Sequence, residues 1–235
     1  MSNHPVAEMD QWLEARRELL QKEKEMTRMR DELSRMQRAL PWVKVEKDYR
    51  FQGPDGEVSL SDLFEGKSQL IVYHFMFDPE WDEGCKSCSF CIDHLDPMSV
   101  HLEHRDVALA LVSRAPLAKL EAFKKRMGWS LPWVSSLESD FNWDFRVSFT
   151  PEDQEKNAIF YNFGPSPYFS SEGPGMSVFA KDTAGAVYHT YSTYARGLEE
   201  LLGTYRLLDV VPKGRDEDEL PYGMAWICLK DSYED

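Results

Sequence analysis

Apolar residues recur every seven positions along the first part of the chain. The repeat consists of Trp12, Leu19, Met26, Leu33 and Leu40, with Ala15, Met29 and Met36 at most of the complementary positions and Lys22 interrupting them. This pattern predicts a long amphipathic helix with an apolar seam. Pro5 suits its first turn and Pro41 prevents its continuation, so we predict a helix over residues 6–40. The seam must be covered, either by a second copy of the chain in a homodimer or by the chain's own domain.

Two continuous apolar runs in the middle of the chain predict buried strands. They occupy residues 69–77 and 107–112, and runs of this length and composition are typical of central strands in a parallel sheet. A helix with one apolar face follows the second run over residues 116–128. Because strands and helices alternate in this region, we predict an α/β domain with a parallel core.

The C-terminal half of the chain is less regular. Residues 130–175 are rich in aromatic residues, Pro and Gly, which we interpret as an ordered but irregular insertion. Residues 176–179 and 187–191 flank a turn and predict a hairpin, and residues 198–208 predict a closing helix. The predicted organisation is an N-terminal helix over residues 1–41, a domain over residues 42–212 and a C-terminal extension over residues 213–235. We expect the apolar part of this extension to pack on the body.

The chain is strongly acidic, with 41 Asp and Glu residues against 27 Lys and Arg residues and a net charge of −14. This charge argues against nucleic acid and against an anionic membrane surface as partners. No apolar run is long enough to span a bilayer, and the N-terminus lacks the layout of a signal peptide. We therefore expect a cytoplasmic protein.

Three of the four cysteines lie close together, at Cys85, Cys88 and Cys91. Such clustering is unsuited to a secreted disulfide framework and indicates redox or metal chemistry. Cys85 and Cys88 form a C-x-x-C motif where a predicted strand leads into a helix, the layout of a thioredoxin-like redox centre. Unpaired N–H groups and the positive end of the helix dipole stabilise a thiolate there. We predict a thiol–disulfide oxidoreductase without a bound cofactor, in which Cys85 attacks a protein or small-molecule substrate and Cys88 resolves the mixed disulfide.

Five neighbouring residues are candidate accessories to this pair: Cys91, Asp93, His94, Trp81 and Glu83. Cys91 is either a third reactive thiol or a small core residue. Asp93 either assists proton transfer from Cys88 or is a solvated carboxylate, and His94 is a candidate proton shuttle. Trp81 is expected to cover the helix. Glu83 would raise the pKa of a nearby thiol, so a reactive cysteine requires the acids before it to face solvent.

Two other functions stay open. The first is a non-catalytic binding or scaffold protein that keeps the C-x-x-C motif for structure. The second is a metal site that uses Cys85, Cys88 and Cys91, with His74, His94 or Cys228 as the fourth ligand. Zinc sites usually take their cysteines from separated pairs rather than from one helix, which disfavours this second alternative.

Four segments resemble, in order and spacing, the family called domain of unknown function 899. They are RALPWVKVEKDYRF, YHFMFDPEWDEGCKSCSF, the run from SVFAKD to RGLEELLGTYRLLDVVPKGRDEDELP, and the closing MAW. The family is thioredoxin-like. The resemblance therefore implies an α/β fold, a thioredoxin-like three-layer sandwich, here with a long N-terminal helix and a C-terminal extension. It implies little about function.

Several positions depart from the sequence patterns of this family, of thioredoxins and of peroxiredoxins. Cys91 stands where members of the family tend to have an aromatic residue, and Cys228 where a basic residue is common. Thioredoxins place a cis-proline directly before the strand that faces the disulfide, whereas Pro174 is displaced from that place by one residue. The proline and hydroxyl residue that precede a peroxiredoxin cysteine are replaced by Asp78 and Asp82, which disfavours a peroxidase of that type.

Overall fold

The structure, a computed structural model, describes residues 4–155, 159–168 and 170–233 of the chain. The parts of the predicted N-terminal segment, aromatic insertion and C-terminal extension that fall on residues 1–3, 156–158, 169 and 234–235 lie outside the described residues. The chain divides into two compact units, Met1–Pro41 and Trp42–Asp235.

The first unit contains one helix, α1, over Met9–Arg38. A capping box of Glu8 and Gln11 sets its start, and the Glu8 backbone N–H donates to Gln11 Oε1 at 3.2 Å. The predicted helix is confirmed, with a start slightly later than Pro5 suggests because the capping residues lie further along. Among the described helices, none combines the length and the hydrophobicity needed to cross a membrane.

The residues of the predicted seam are exposed on α1. Trp12, Leu19, Met26 and Leu33 are each 53 or 54% exposed, so the side chains of the repeat do not cover one another. Ion pairs such as Arg16–Glu23 are found within the same helix. The exposed apolar stripe is the feature that a partner would have to cover.

An eight-stranded sheet forms the centre of the second unit. Its spatial order is β1 (Val43–Lys44), β10 (Val187–Tyr194), β9 (Gly175–Lys181), β4 (Gln69–His74), β5 (Val107–Ser113), β6 (Trp133–Ser135), β2 (Arg50–Gly53) and β3 (Gly56–Ser59). β4 runs parallel to β5 and antiparallel to β9, and β5 runs parallel to β6. The predicted parallel core and the β9–β10 hairpin are therefore confirmed.

Side-chain alternation along β4 builds a core on each face of the sheet. Tyr73 and Phe75 face the helices α2 (Lys86–Leu95), α4 (Leu117–Met127) and α7 (Gly203–Leu208). Leu70 and Val72 face the opposite layer, which contains the 3₁₀ turn Asp62–Phe64 and the short helix α5 (Phe141–Asp144). Between α2 and β5 lies α3 (Ser99–Glu103). The second unit is thus a thioredoxin-like three-layer α/β sandwich.

Residues 130–175 are more regular than the sequence suggests. Trp133–Ser135 is strand β6 of the main sheet, and α5, α6 (Pro151–Glu155), β7 (Phe160–Tyr161) and β8 (Gly164–Pro165) follow it. β6 is fixed by tertiary contacts, because Trp133 is 1% exposed and its indole N–H donates to Ser113 Oγ at 2.9 Å. So short a strand has no periodic pattern by which it could be recognised.

The predicted closing helix over residues 198–208 is wrong in detail. The segment forms a 3₁₀ helix over Ala195–Leu201 followed by α7. The break between the 3₁₀ helix and α7 is stabilised from outside the segment, because the Thr204 N–H donates to Nε2 of His94 at 3.1 Å and so satisfies a free donor at the start of α7.

The expected packing of the C-terminal extension is confirmed, since Ile227 and Leu229 are buried.

A buried ion pair fastens the loop before β9. Glu172 is 1% exposed, and its carboxylate accepts from Arg114 Nη1 at 2.9 Å and from Ser148 Oγ at 2.8 Å. The Arg114 guanidinium lies 4.4 Å from the centre of the Trp143 ring. Burial raises the pKa of Glu172 to about 7, and Asp78 adds to the rise, while Arg114 and Ser148 oppose it.

This carboxyl predicts a pH-dependent stability. The pKa of Glu172 is about 7 in the folded chain against an ordinary 4.5, so folding retains a proton between these values. The contribution of Glu172 to the free energy of unfolding should therefore fall as pH rises through this window, by up to about 1.4 kcal/mol per pH unit. Denaturant titrations at several pH values should give Glu172→Gln and wild type different slopes of the free energy of unfolding against pH. The exposed control Glu155→Gln should match wild type. Parallel slopes for Glu172→Gln and wild type would contradict the prediction.

The exposed seam of α1 predicts a homodimer. We expect light scattering at micromolar concentration to find two copies of the full chain. Leu19→Lys with Leu33→Lys should give monomers, because two charges would be buried in the apolar contact. Gln21→Lys with Ser34→Lys adds the same charge outside the seam and should leave the dimer intact. A wild-type chain that is monomeric under these conditions would rule out the dimer.

Candidate active site

The C-x-x-C motif follows the loop that connects β4 to α2. The Cys85 N–H donates to the Met76 carbonyl at 3.1 Å and closes this loop. Lys119, on α4, donates from Nζ to the carbonyl oxygens of Pro79 at 2.8 Å and Trp81 at 2.9 Å. The loop that presents the first cysteine is therefore held at its base and along its length.

Cys85 is the N-cap residue of α2 and is half-buried. Its sulfur accepts from the Cys88 N–H at 3.5 Å. The Cys88 thiol, followed by the backbone N–H groups of Cys88 and Ser87, lowers the pKa of Cys85 to about 7, although burial opposes this shift. Near neutral pH a large fraction of Cys85 is therefore the nucleophilic thiolate.

The pKa of Cys88 is shifted in the opposite direction. It is 1% exposed, and burial, followed by the neighbouring Cys85, raises its pKa well above the ordinary value. The Met76 backbone, followed by the side chain of Tyr73, itself 2% exposed, opposes this rise in pKa. Two thiols whose pKa values are moved apart are suited to different steps of one reaction. Tyr73 was not among the predicted site residues, but the period-two alternation of β4 places it on the face of α2.

Cys91 is 2% exposed on the same helix. Burial raises its pKa to about 12, and the neighbouring Tyr73 side chain only partly offsets this rise. At neutral pH the Cys91 thiol is protonated and a poor nucleophile. The structure therefore favours the core-residue interpretation of Cys91 over a third reactive thiol.

Asp82 and Glu83, the two acidic residues nearest the motif, are exposed to solvent. Glu83 forms an ion pair with Arg126, which also binds Asp231, and Asp82 is exposed. Neither acid is among the groups that shift the pKa of Cys85. The condition for a reactive Cys85 is met, and no supporting role for Glu83 in the chemistry is visible.

The other predicted accessories have structural partners. His94 Nδ1 lies 2.6 Å from the Phe90 carbonyl oxygen and Nε2 lies 2.8 Å from Thr204 Oγ1, so both nitrogens are engaged. Asp93 accepts from the Trp129 indole at 2.8 Å and pairs with Lys230. These contacts join α2 to α7 and to the C-terminal extension, and they give no support to a proton shuttle. Trp81 is half-buried and packs against the core cluster, and its role as a cover over α2 stays a prediction.

The candidate fourth ligands do not complete a metal site with the three cysteines. His74 lies on the other face of β4, where Nε2 is 2.8 Å from Ser177 Oγ and burial lowers the pKa of the ring to about 3. Cys228 is half-buried in the C-terminal extension, and its thiol donates to the Trp226 carbonyl at 3.9 Å. In the part of the chain that the structure describes, no group of three or more Cys, His, Asp or Glu side chains could hold a metal ion.

A cavity of about 350 Å³ opens beside Cys85, Cys88 and Cys91. Tyr73 and Met76 line it from the side of β4, and Pro174 from the loop before β9. The Gly173–Pro174 peptide bond is trans, and Pro174 nonetheless borders the cysteines. The site therefore combines a reactive thiol, a buried partner thiol and an adjacent space for a ligand.

Solved structures to which the chain is similar in overall fold include several peroxiredoxins. A cysteine-to-serine mutant of Xylella fastidiosa PrxQ has 13% identity and a TM-score of 0.44, covering 71% of this chain and 94% of its own. Peroxidoxin BcpB from Mycobacterium tuberculosis has 13% identity and a TM-score of 0.47, covering 72% and 97%. The mitochondrial 2-Cys peroxiredoxin from Plasmodium falciparum has 15% identity and a TM-score of 0.42, covering 71% and 92%.

The sequence comparisons give a more direct assignment. No curated protein sequence matches the chain. Residues 1–233 match the family described as "Bacterial protein of unknown function (DUF899)", in agreement with the resemblance noted from the four segments. Because the match extends over nearly the whole chain, the protein belongs to the DUF899 family.

Proposed function

We propose that the protein is a thiol–disulfide oxidoreductase that cycles Cys85 and Cys88 between a dithiol and a disulfide. The observation that supports this most strongly is the placement of the two thiols, because Cys85 caps α2 and accepts from the Cys88 N–H at 3.5 Å, whereas Cys88 is 1% exposed. A half-buried Cys85 with a pKa lowered to about 7 adjoins a buried Cys88 with a raised pKa. A scaffold protein has no need of such a difference, because two structural thiols are equally inert when both are protonated.

The proposed reaction conserves atoms and electrons. The Cys85 thiolate attacks one sulfur of a substrate disulfide, forms a mixed disulfide and releases the other half as a thiolate. Cys88 then loses its proton and attacks the Cys85 sulfur, which releases the second half as a thiolate. The substrate has gained two electrons, and the protein is left with a Cys85–Cys88 disulfide. A thiol reductant of the cell returns it to the dithiol, so the proposal includes a reducing cytoplasmic location.

The second step needs help because Cys88 must be deprotonated in an apolar surrounding. The Met76 backbone, followed by the side chain of Tyr73, lowers the pKa of Cys88 and so favours its thiolate form. Hydrogen bonds to a charged acceptor are stronger than neutral ones. We assign Tyr73 the role of stabilising the Cys88 thiolate as it forms.

Alkylation of the reduced protein tests the proposal. The rate at Cys85 should rise with pH to a plateau, with a midpoint near pH 7 set by its lowered pKa, and be about tenfold slower at pH 6 than at pH 8. Cys85→Ser should abolish this reaction and any disulfide reductase activity, whereas the matched variant Cys91→Ser should retain most of both. Asp82→Asn with Glu83→Gln should leave the midpoint unchanged.

Thiol titration gives the complementary result. A mild oxidant should remove two thiols reversibly, those of Cys85 and Cys88. Slow alkylation with no plateau, together with an unchanged thiol count, would favour the scaffold function. Equal loss of activity in Cys85→Ser and Cys91→Ser, together with metal in freshly purified protein, would favour the metal site.

Tyr73→Phe tests the assigned role of the hydroxyl group. Stopped-flow reaction with an aromatic disulfide that releases a chromophoric thiol separates the attack by Cys85 from the resolution by Cys88. Resolution should slow by about tenfold or more, the effect of losing one hydrogen bond to a charged group, while the attack rate is retained. Tyr49→Phe removes a buried hydroxyl from the opposite face and should affect neither step. Equal slowing of both steps by Tyr73→Phe would contradict the assignment.

A further inference from the structure

The cavity beside the cysteines has walls of predominantly apolar character. Its volume of about 350 Å³ is that of a pocket for a small molecule. Apolar side chains come from distant parts of the chain: Tyr73, Met76, Pro174, Leu198, Leu202 and Met224. Cys85 therefore borders a half-open apolar pocket rather than a flat surface of the kind that docks a folded protein.

The charged side chains that line the cavity already have counter-ions. Arg196 Nε lies 2.8 Å from Glu199 Oε1, and Glu199 also lies 3.3 Å from Arg215. The Arg196 side chain is 85% exposed, so a charged group of a ligand in the apolar part of the cavity would be buried without a partner, which is costly. The lining thus favours an uncharged ligand.

Two residues of the cavity wall hold a backbone conformation that L-residues rarely adopt. Ala195 has φ of 47° and Met224 has φ of 71°. Ala195 is held by its N–H, which donates to the Tyr161 hydroxyl at 3.1 Å. Met224 is held by its N–H, which donates to Glu217 Oε1 at 3.0 Å. Such strain persists where the surrounding structure imposes it, and it is concentrated at ligand sites.

Glu217 fixes the C-terminal wall of the cavity. Besides Met224, its Oε1 atom accepts from the Tyr205 hydroxyl and from the Trp226 indole, both at 2.6 Å. Three donors on one carboxylate oxygen hold the extension against α7. The strained wall is therefore built by a dedicated anchor and is not a loose end of the chain.

We infer that the substrate of the Cys85–Cys88 pair is a small, uncharged disulfide with apolar substituents, bound in this cavity. The inference rests on the proposed function. The cavity takes one apolar half of the disulfide and holds the adjacent sulfur at Cys85. Attack and resolution then proceed as described above, yielding two small thiols and the oxidised pair.

Two aromatic disulfides that release chromophoric thiols provide the test. Dithiodipyridine is neutral, whereas dithiobis(nitrobenzoate) carries two negative charges, and insulin serves as a protein disulfide. Each rate with the reduced full-length protein is divided by the rate of the same probe with N-acetylcysteine, which removes intrinsic reactivity. We expect the normalised rate of the neutral probe to exceed that of the charged probe by about tenfold or more, and insulin to be reduced slowly.

Substitutions in the cavity wall test whether the cavity causes the preference for the neutral probe. Leu198→Ala and Met224→Ala should each lower kcat/KM for the neutral probe by about tenfold, without changing the pH midpoint of Cys85 alkylation. Leu207→Ala, on the exposed side of α7, is the matched control and should resemble wild type. Circular dichroism verifies that each variant is folded.

The outcomes separate the two proposals. Equal normalised rates for both aromatic probes, or insulin as the fastest substrate, would overturn the substrate inference. If Cys85 is still alkylated with a midpoint near pH 7, the proposed oxidoreductase function is unaffected by these results. Unchanged kcat/KM in both folded wall variants would also overturn it. An inert Cys85 would overturn both.

Discussion

The pairing of β4 with its two neighbours is the constraint on which the second unit depends. Parallel hydrogen bonds to β5 on one side and antiparallel bonds to β9 on the other fix the register of β4. This register directs Tyr73 toward α2 and His74 toward the opposite layer. A slip by one residue would exchange them. The register of β4 also fixes where the chain leaves the sheet, and therefore where the loop to Cys85 starts.

The chemistry of the site follows from a competition between burial and hydrogen bonding. Burial disfavours a thiolate at Cys85, Cys88 and Cys91 alike. Only at Cys85, the N-cap of α2, do the adjacent thiol and backbone N–H groups outweigh it. The same helix therefore carries one thiol that ionises near neutral pH and two that stay protonated, although all three share one cavity.

Parts of the chain far from the motif complete the site. The C-terminal extension contributes Met224 through its anchor on Glu217, and the aromatic insertion contributes the Tyr161 hydroxyl, which donates to the Pro174 carbonyl and accepts from Ala195. The insertion, through Pro174, and the extension, through Met224, thus form parts of the cavity wall beside Cys85.

The sequence by itself determined the elements with strong local patterns. These are α1 with its seven-residue repeat, the buried runs of β4 and β5, and the C-x-x-C motif of Cys85 and Cys88 at a strand-to-helix boundary, because periodicity and motif spacing are local properties of a chain. Tertiary structure alone decided the rest. The three-residue strand β6, the roles of Tyr73 and Glu217, and the structural engagement of His94 depend on contacts between residues far apart in sequence, and such contacts leave no periodic trace. The direction of each thiol's pKa was likewise settled by burial and hydrogen-bond geometry, which residue types and spacing do not contain.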